Sequence, residues 1–255
     1  MGELTDKTVL VAGVGPGLGR SIALAAAREG ASVVLAARTE SRLVEIAKEI
    51  EEAGGRAHAV MADVTDPDAG ARLADAARAE YGEVHCLAYN ALVMPPIKPL
   101  MAVDTEVLAP AIEQNAVAAL RLTRALESGI ESIVYVNSMV MRFSQLRMGP
   151  YKMAKSALHA IASSLATELG PRGIRVNSVA PGHIWGDSLQ WYFSYLAHKR
   201  NVDPQVIYDE TAEATDLKRL VLPDEIAEAV VFLLSDRARA ITGQCLDVNC
   251  GEFHH

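Results

Sequence analysis

The most constraining stretch lies near the N-terminus. Residues 8–12 (Thr-Val-Leu-Val-Ala) are followed at once by Gly13-Val14-Gly15-Pro16-Gly17-Leu18-Gly19 and then by a helical stretch over residues 18–29. A short, nearly continuous apolar run suits a strand buried on both faces. Strand, glycine-rich turn and helix together aim backbone N–H groups and a helix N-terminus at a phosphate. Glycine serves where the chain turns tightly or must approach a ligand closely. The spacing is G-x3-G-x-G at Gly13, Gly17 and Gly19, not G-x-G-x-x-G, because position 18 is leucine.

The rest of the chain repeats that alternation. Apolar runs at 31–37, 57–62, 84–89, 132–136, 174–179 and 246–248 read as further strands. Helical stretches are expected at 41–53, from a cap at Asp66-Pro67 to 81, at 105–127, from Gly149-Pro150 to about 170, and from Pro223 to 234. Strands alternating with helices predict βαβ crossovers, hence an α/β fold with a seven-stranded parallel sheet and helices on both faces. No linker divides the chain, so residues 1–255 read as a single domain. Ligands in such sheets sit beyond the carboxyl ends of the strands. The residues at those ends are Gly13, Arg38, Asp63, Asn90, Ser138 and Pro181-Gly182, mostly polar or glycine at the edge of an apolar sheet.

Composition narrows the function classes. Half of the 255 residues are hydrophobic, and no apolar run approaches the roughly 20 residues that span a membrane. The start of the chain lacks the basic and apolar regions of a secretory signal. Three cysteines, an odd number, argue against a disulfide framework and form no metal-type pairing, so no metal site is expected. A cytoplasmic protein with free thiols follows. A net charge of −8 with interspersed signs argues against a nucleic-acid partner.

A tyrosine and a lysine four residues apart, Tyr151 and Lys155, fall on one face of the helix opened by Gly149-Pro150. An ammonium beside a phenol favours the phenolate, bringing proton exchange closer to neutral pH than the free value of about 10 allows. That suits a general acid/base working on an alcohol or ketone. Tyr195 and Lys199 share the same spacing, so spacing alone does not separate the pairs.

The ordered set of motifs resembles the short-chain dehydrogenase/reductase family, in its single-domain branch of about 250 residues, over essentially the whole chain. The resemblance implies a Rossmann-type doubly wound fold binding a nicotinamide dinucleotide. Gly13, Gly17 and Gly19 match the cofactor glycines, with Gly15 and Leu18 in the same turn. Asp63, followed by Val64, matches the acid that meets the adenine. Asn90-Ala91 matches an Asn-Ala-Gly motif, with Leu92 in place of the glycine. Pro181-Gly182 matches the turn after the sixth strand, with Ile184 beside the nicotinamide. Asn115, Ser138, Tyr151 and Lys155 match the catalytic tetrad, with serine 13 residues before tyrosine; the position 13 before Tyr195 is Gly182. In the implied mechanism Ser138 hydrogen-bonds the substrate oxygen and Tyr151 gives or takes the proton. Lys155 holds the nicotinamide ribose and lowers the tyrosine pKa, and Asn115 holds a water linking Lys155 to solvent.

The second strand ends Ala36-Ala37-Arg38 without an acid. An acid there would repel a 2′-phosphate, whereas a guanidinium pairs with one, so NADP(H) is the expected cofactor, with NAD(H) possible. The threonine that many members carry four residues after Pro181-Gly182 is Gly186 here. The resemblance makes residues 183–215 a mobile substrate lid. Trp185, Trp191, Tyr192, Phe193 and Tyr195 put five of the thirteen aromatic residues in its first part. Either they line the pocket for a bulky cyclic or aromatic alcohol or ketone, or they pack the lid itself. His183 reads as a packed or solvated side chain. The leading expectation is an NADP-dependent alcohol dehydrogenase or carbonyl reductase. The alternatives are an NAD-dependent secondary-alcohol or hydroxysteroid-type dehydrogenase and a cofactor-binding regulator without turnover. The family commonly assembles as homotetramers, so a tetramer or dimer is expected.

Overall fold

A computed structural model describes residues 2–254. Seven strands, β1 (Thr8–Ala12), β2 (Ser32–Ala37), β3 (Arg56–Met61), β4 (Cys86–Tyr89), β5 (Ser132–Val136), β6 (Arg175–Pro181) and β7 (Cys245–Val248), form one parallel sheet in the order β3-β2-β1-β4-β5-β6-β7. The order reverses between β1 and β4, which is where a doubly wound sheet opens a crevice at its carboxyl edge. This is the Rossmann-type arrangement expected from the alternation.

Side-chain period decides why the strand runs are continuously apolar. Val9, Val11, Val33, Leu35, Val134 and Val136 point into one core, while Leu10, Val34, Leu87, Tyr89, Ile133 and Tyr135 point into the other. Burying a side chain of this size contributes about 1.5–3 kcal/mol, so a polar residue on either face would be costly. The first core is closed by α1 (Leu18–Arg28), α2 (Glu40–Glu52) and α9 (Pro223–Leu234), the last taking its place here as the final helix of the chain. The second core is closed by α3 (Ala69–Tyr81), α5 (Ala118–Ala125) and α6 (Gly149–Leu169).

Three local expectations are corrected. The stretch 105–127 is not one helix. A 3-10 turn leads into α4 (Leu108–Ile112), then a π-helical segment (Glu113–Val117), then α5. The buried Asn115 side chain explains the interruption: its amide donates to Ala111 O, one turn back, instead of pointing to solvent. The helix expected from Asp66-Pro67 starts at Ala69, because Asp66 Oδ1 accepts from the Asp68 backbone and closes a local turn first. Strand β6 runs on through Pro181, so the turn begins only at Gly182. Segment 183–215 folds as α7 (Asp187–Arg200) and α8 (Pro204–Glu213), with a small core of its own around Phe193, Ile207 and Leu220. Among the described residues no helix is long and apolar enough to cross a membrane. The three cysteines are free.

Candidate active site

The glycine turn is built by close approach of backbones. Gly13 has φ +90°, and a Cβ there would lie 2.4 Å from Ala91 N. Gly13 and Val14 both donate to Ala36 O, and the Asn90 side chain donates to Gly13 O at 2.8 Å. The expected Asn90-Ala91 contact is therefore structural as well as local to the groove: it ties the end of β4 to the end of β1. At Gly19 a Cβ would lie 2.4 Å from Gly13 O, so this glycine lets α1 pack against the turn. Gly15 and Gly17 are different. A Cβ at either would meet nothing within 4 Å, leaving a bare backbone cradle at the start of α1. That cradle fits the phosphates of a dinucleotide, since N–H groups and the helix dipole both favour an anion there.

A groove of about 450 Å³ runs from this turn across the ends of β1 to β4. Gly13, Gly15, Arg38, Asp63, Val64, Asn90 and Ala91 all line it, as expected. The Leu18 side chain does not; it packs against the first core, and Gly19 is buried. Asp63 accepts at one oxygen from the Thr65 backbone (3.0 Å) and hydroxyl (2.8 Å). Those bonds, with Arg38 adding a smaller attraction, hold its carboxyl below the ordinary range. Arg38 is exposed at the mouth, and Arg42, one turn on in α2, lines the same groove. Arg42 was not anticipated, although its position four residues after Arg38 was readable. Leu92, standing where the family pattern has glycine, also lines the groove.

The four tetrad positions lie on elements packed together, α6 lying against both the π-helical segment and the turn after β5. Ser138 follows β5 in extended conformation and caps a 3-10 turn, its hydroxyl accepting from Val140 N at 3.3 Å. Tyr151 sits in the first turn of α6 and lines the same cavity as Ser138. Burial pushes the Tyr151 phenol above its usual pKa, with the Ser138 hydroxyl pulling the other way. Lys155 is 3% exposed, its Nζ donates to Val136 O at 2.8 Å, and burial brings its pKa down to about 8.

The Asn115 side chain is fully engaged. It makes a closed pair with the backbone of Val93, Oδ1 accepting from Val93 N at 2.9 Å and Nδ2 donating to Val93 O at 2.8 Å. With the bond to Ala111 O, both amide hydrogens are used. The side chain therefore fastens the segment after β4.

A second cavity, of about 1060 Å³, opens on the other side of the tyrosine. Ser138 and Tyr151 line it together with Gly182, Ile184, Phe143 and the exposed face of α7. Val93 lines the first cavity and Met94 the second, so the two meet at that step. The aromatic cluster divides. Trp185 and Phe193 pack into the lid's own core beside Tyr208, the Phe193 ring centroid 5.6 Å and the Tyr208 centroid 4.6 Å from that of Trp185. Trp191, Tyr192 and Tyr195 line the cavity, Tyr195 stacked between the other two at 6.1 and 6.5 Å. Gly186 caps α7, while Asp187 and Ser188 after it line the cavity. Pro181 is buried, and Gly182 has the C-terminal tail against it.

Three comparisons agree with this architecture. Residues 13–252 match a family model described as enoyl-(acyl carrier protein) reductase. The chain is 36% identical to the L-rhamnose 1-dehydrogenase (NAD(P)+) of Azotobacter vinelandii, over 98% of each chain. It is 32% identical to the cis-4-hydroxycyclohexanecarboxylate dehydrogenase of Sinomonas cyclohexanicum, again over 98% of each. The crystal structure of L-sorbose reductase from Gluconobacter frateurii, complexed with NADPH and L-sorbose, superposes with TM-score 0.92 at 28% identity, covering 100% of this chain and 99% of that one. With the glycine turn, the switch-point groove and the Ser138–Tyr151 pair in place, this chain belongs to the short-chain dehydrogenase/reductase family of NAD(P)-dependent oxidoreductases acting on CH–OH and C=O groups.

Proposed function

We propose that the protein is an NADP(H)-dependent oxidoreductase for a bulky cyclic or aromatic alcohol or ketone, with Tyr151 as general acid/base. The observation that carries this reading is that Ser138 and Tyr151 together line a large, aromatic-rich cavity, which meets the groove at the glycine turn where Val93 gives way to Met94. The bare turn at Gly15 and Gly17, Asp63, Asn90, Lys155 and Ile184 are the residues that would hold the dinucleotide, which when bound supplies or accepts the hydride. Ser138 orients the substrate oxygen. At neutral pH the buried phenol of Tyr151 is protonated, the form that gives a proton to a carbonyl oxygen, which favours the reductive direction. Asn115 acts at a distance by holding Val93 at the junction of the two cavities.

Arg38 and Arg42 support NADP(H) over NAD(H): two guanidinium groups without a carboxylate hydrogen-bond partner among the described residues line the end of the groove beyond β2. Trp191, Tyr192 and Tyr195 support a ring-bearing substrate. Of the relatives, one is named for a hydroxycyclohexanecarboxylate, a ring alcohol, and two for the sugars rhamnose and sorbose; the first is in line with that class. The whole chain is read as one domain, with α7 and α8 forming the lid, assembling as a cytoplasmic homotetramer or dimer. The deciding experiment follows absorbance of the reduced nicotinamide over a panel of cyclic, aromatic and short polar ketones with both cofactors. Turnover of ring ketones with NADPH is expected. A clear preference for NADH, or for short polar substrates, would sink the corresponding part of the reading. Sedimentation velocity and cell fractionation test assembly and location.

A further inference from the structure

The C-terminal tail returns to the end of β6 and takes hold of one residue there. Glu252, its side chain 11% exposed, accepts from His183 N at 3.0 Å through Oε2 and pairs with His183 Nδ1 at 2.5 Å through Oε1. A single carboxylate thus fixes both the backbone and the ring of His183. The tail is tightly seated. A Cβ on Gly182 would lie 2.6 Å from Glu252 Oε2 and 2.9 Å from Asn249 Cβ, so glycine is what allows the approach. Asn249 in turn holds the tail's own turn through Gly251 N and Phe253 O, and Phe253 packs on Phe143 of the cavity wall at 5.6 Å.

This latch leaves one polar atom unused. The His183 side chain is 37% exposed and lines the 1060 Å³ cavity together with Ser138 and Tyr151. No hydrogen bond to its Nε2 exists among the described residues. With Nδ1–H given to the carboxylate, Nε2 of the neutral ring is an acceptor, and of the protonated ring a donor. Ring orientation and tautomer are set by the second partner, as a carboxylate does for histidines that must present a defined edge.

We propose that His183, oriented by Glu252, is a polar anchor of the substrate cavity, hydrogen-bonding through Nε2 a second oxygen function of the substrate, distinct from the oxygen that Ser138 and Tyr151 engage. This rests on the oxidoreductase reading above and narrows it: the substrate class is a ring ketone or alcohol bearing a further hydroxyl group. Glu252 is a positioning residue acting through His183.

The test compares NADPH-dependent reduction of cyclohexanone with that of 2-, 3- and 4-hydroxycyclohexanone. The wild-type protein is expected to favour at least one hydroxylated probe by about tenfold or more in kcat/KM. His183→Ala should erase that preference through KM, bringing kcat/KM for the hydroxylated probes down to the level of cyclohexanone. His183→Gln, which keeps a polar end, should restore part of it, and Glu252→Gln should lose part of it with a wild-type Tm. If His183→Ala fails to fold, the two glutamine variants carry the comparison. Equal losses on hydroxylated and plain probes, or no preference in the wild type, overturn the anchor. Failure to reduce any probe strikes the proposed function instead. The anchor is then decided by calorimetric binding of the same probes to the NADP+-loaded protein. Tighter binding of a hydroxylated probe that His183→Ala abolishes supports it, and equal or absent binding overturns it.

Discussion

Two Tyr–Lys pairs of identical spacing reach one cavity differently: Tyr151, Tyr195 and Lys199 line it, and Lys155 does not. Tyr151 and Lys155 lie on α6, against the sheet; Tyr195 and Lys199 lie on α7, in the lid. The first lysine is buried and bonded to a β5 carbonyl, while the second is exposed, its ammonium 5.7 Å from the Tyr195 ring centre. The first tyrosine has a serine partner; the second has two aromatic neighbours. Spacing brings a phenol and an ammonium to one helix face in both cases. What differs is solvent. Burial moves pKa values and makes a hydrogen bond directional, whereas an exposed pair offers a hydrophobic surface with a charged tip. The contrast extends to the elements that carry the pairs: α6 is fixed by the second core of the sheet, α7 by a small core of its own.

The sharpest way to break this comparison is at the two hydroxyls. Tyr151→Phe should lower kcat by about a thousandfold or more with NADP(H) affinity within a fewfold of wild type, while Tyr195→Phe leaves kcat within about twofold. Steady-state rates and fluorescence titration of the cofactor decide; a comparable kcat loss in both would erase the distinction.

The backbone offers a second contrast. Gly13→Ala forces a side chain onto a positive φ and against Ala91 N, whereas a Cβ on Gly186, the cap of α7, meets only Pro223 Cγ at 3.7 Å. Denaturant titration should show a loss of about 2–4 kcal/mol for the first and under about 1 kcal/mol for the second. On the nucleotide side, the double variant Arg38→Ala/Arg42→Ala should raise the KM for NADPH by about 10- to 100-fold and leave that for NADH nearly unchanged. Lys199→Ala should alter neither, which cofactor kinetics will check.

The smallest effect is a pH slope. Lys155 has a folded pKa of about 8 against an ordinary 10.5. Between those values the unfolded state binds more protons, so the contribution of this group to stability rises with pH across the window and is lost as pH falls through about 8. Relative to wild type, Lys155→Met should therefore flatten the stability profile over about pH 8–10.5, by about 1–3 kcal/mol. Lys199→Met should keep the wild-type slope. Urea midpoints measured across that range distinguish them.

The sheet was legible because its signals are local. Strand β5 and helix α9 stand at the expected residues, and each strand's continuous run reports burial on both faces. The residues at the strand ends, from Gly13 to Asn90, line one groove, because a parallel sheet delivers every carboxyl end to one edge. The misread elements are those where a side chain competes with the helix. Asn115 turned a single expected helix into three pieces, and Asp66 delayed the start of α3. The first competition cannot be weighed without knowing that Asn115 is buried beside Val93.

The sequence alone determined the layered sheet, the position of the dinucleotide crevice and the identity of the residues gathered there, since all of these follow from period, glycine placement and chain order. Tertiary structure decided which tyrosine–lysine pair is buried and what each aromatic of the lid faces. It also brought Glu252 onto His183. Those outcomes depend on segments distant in sequence sharing one cavity, and on burial, which sets the strength of every polar contact there.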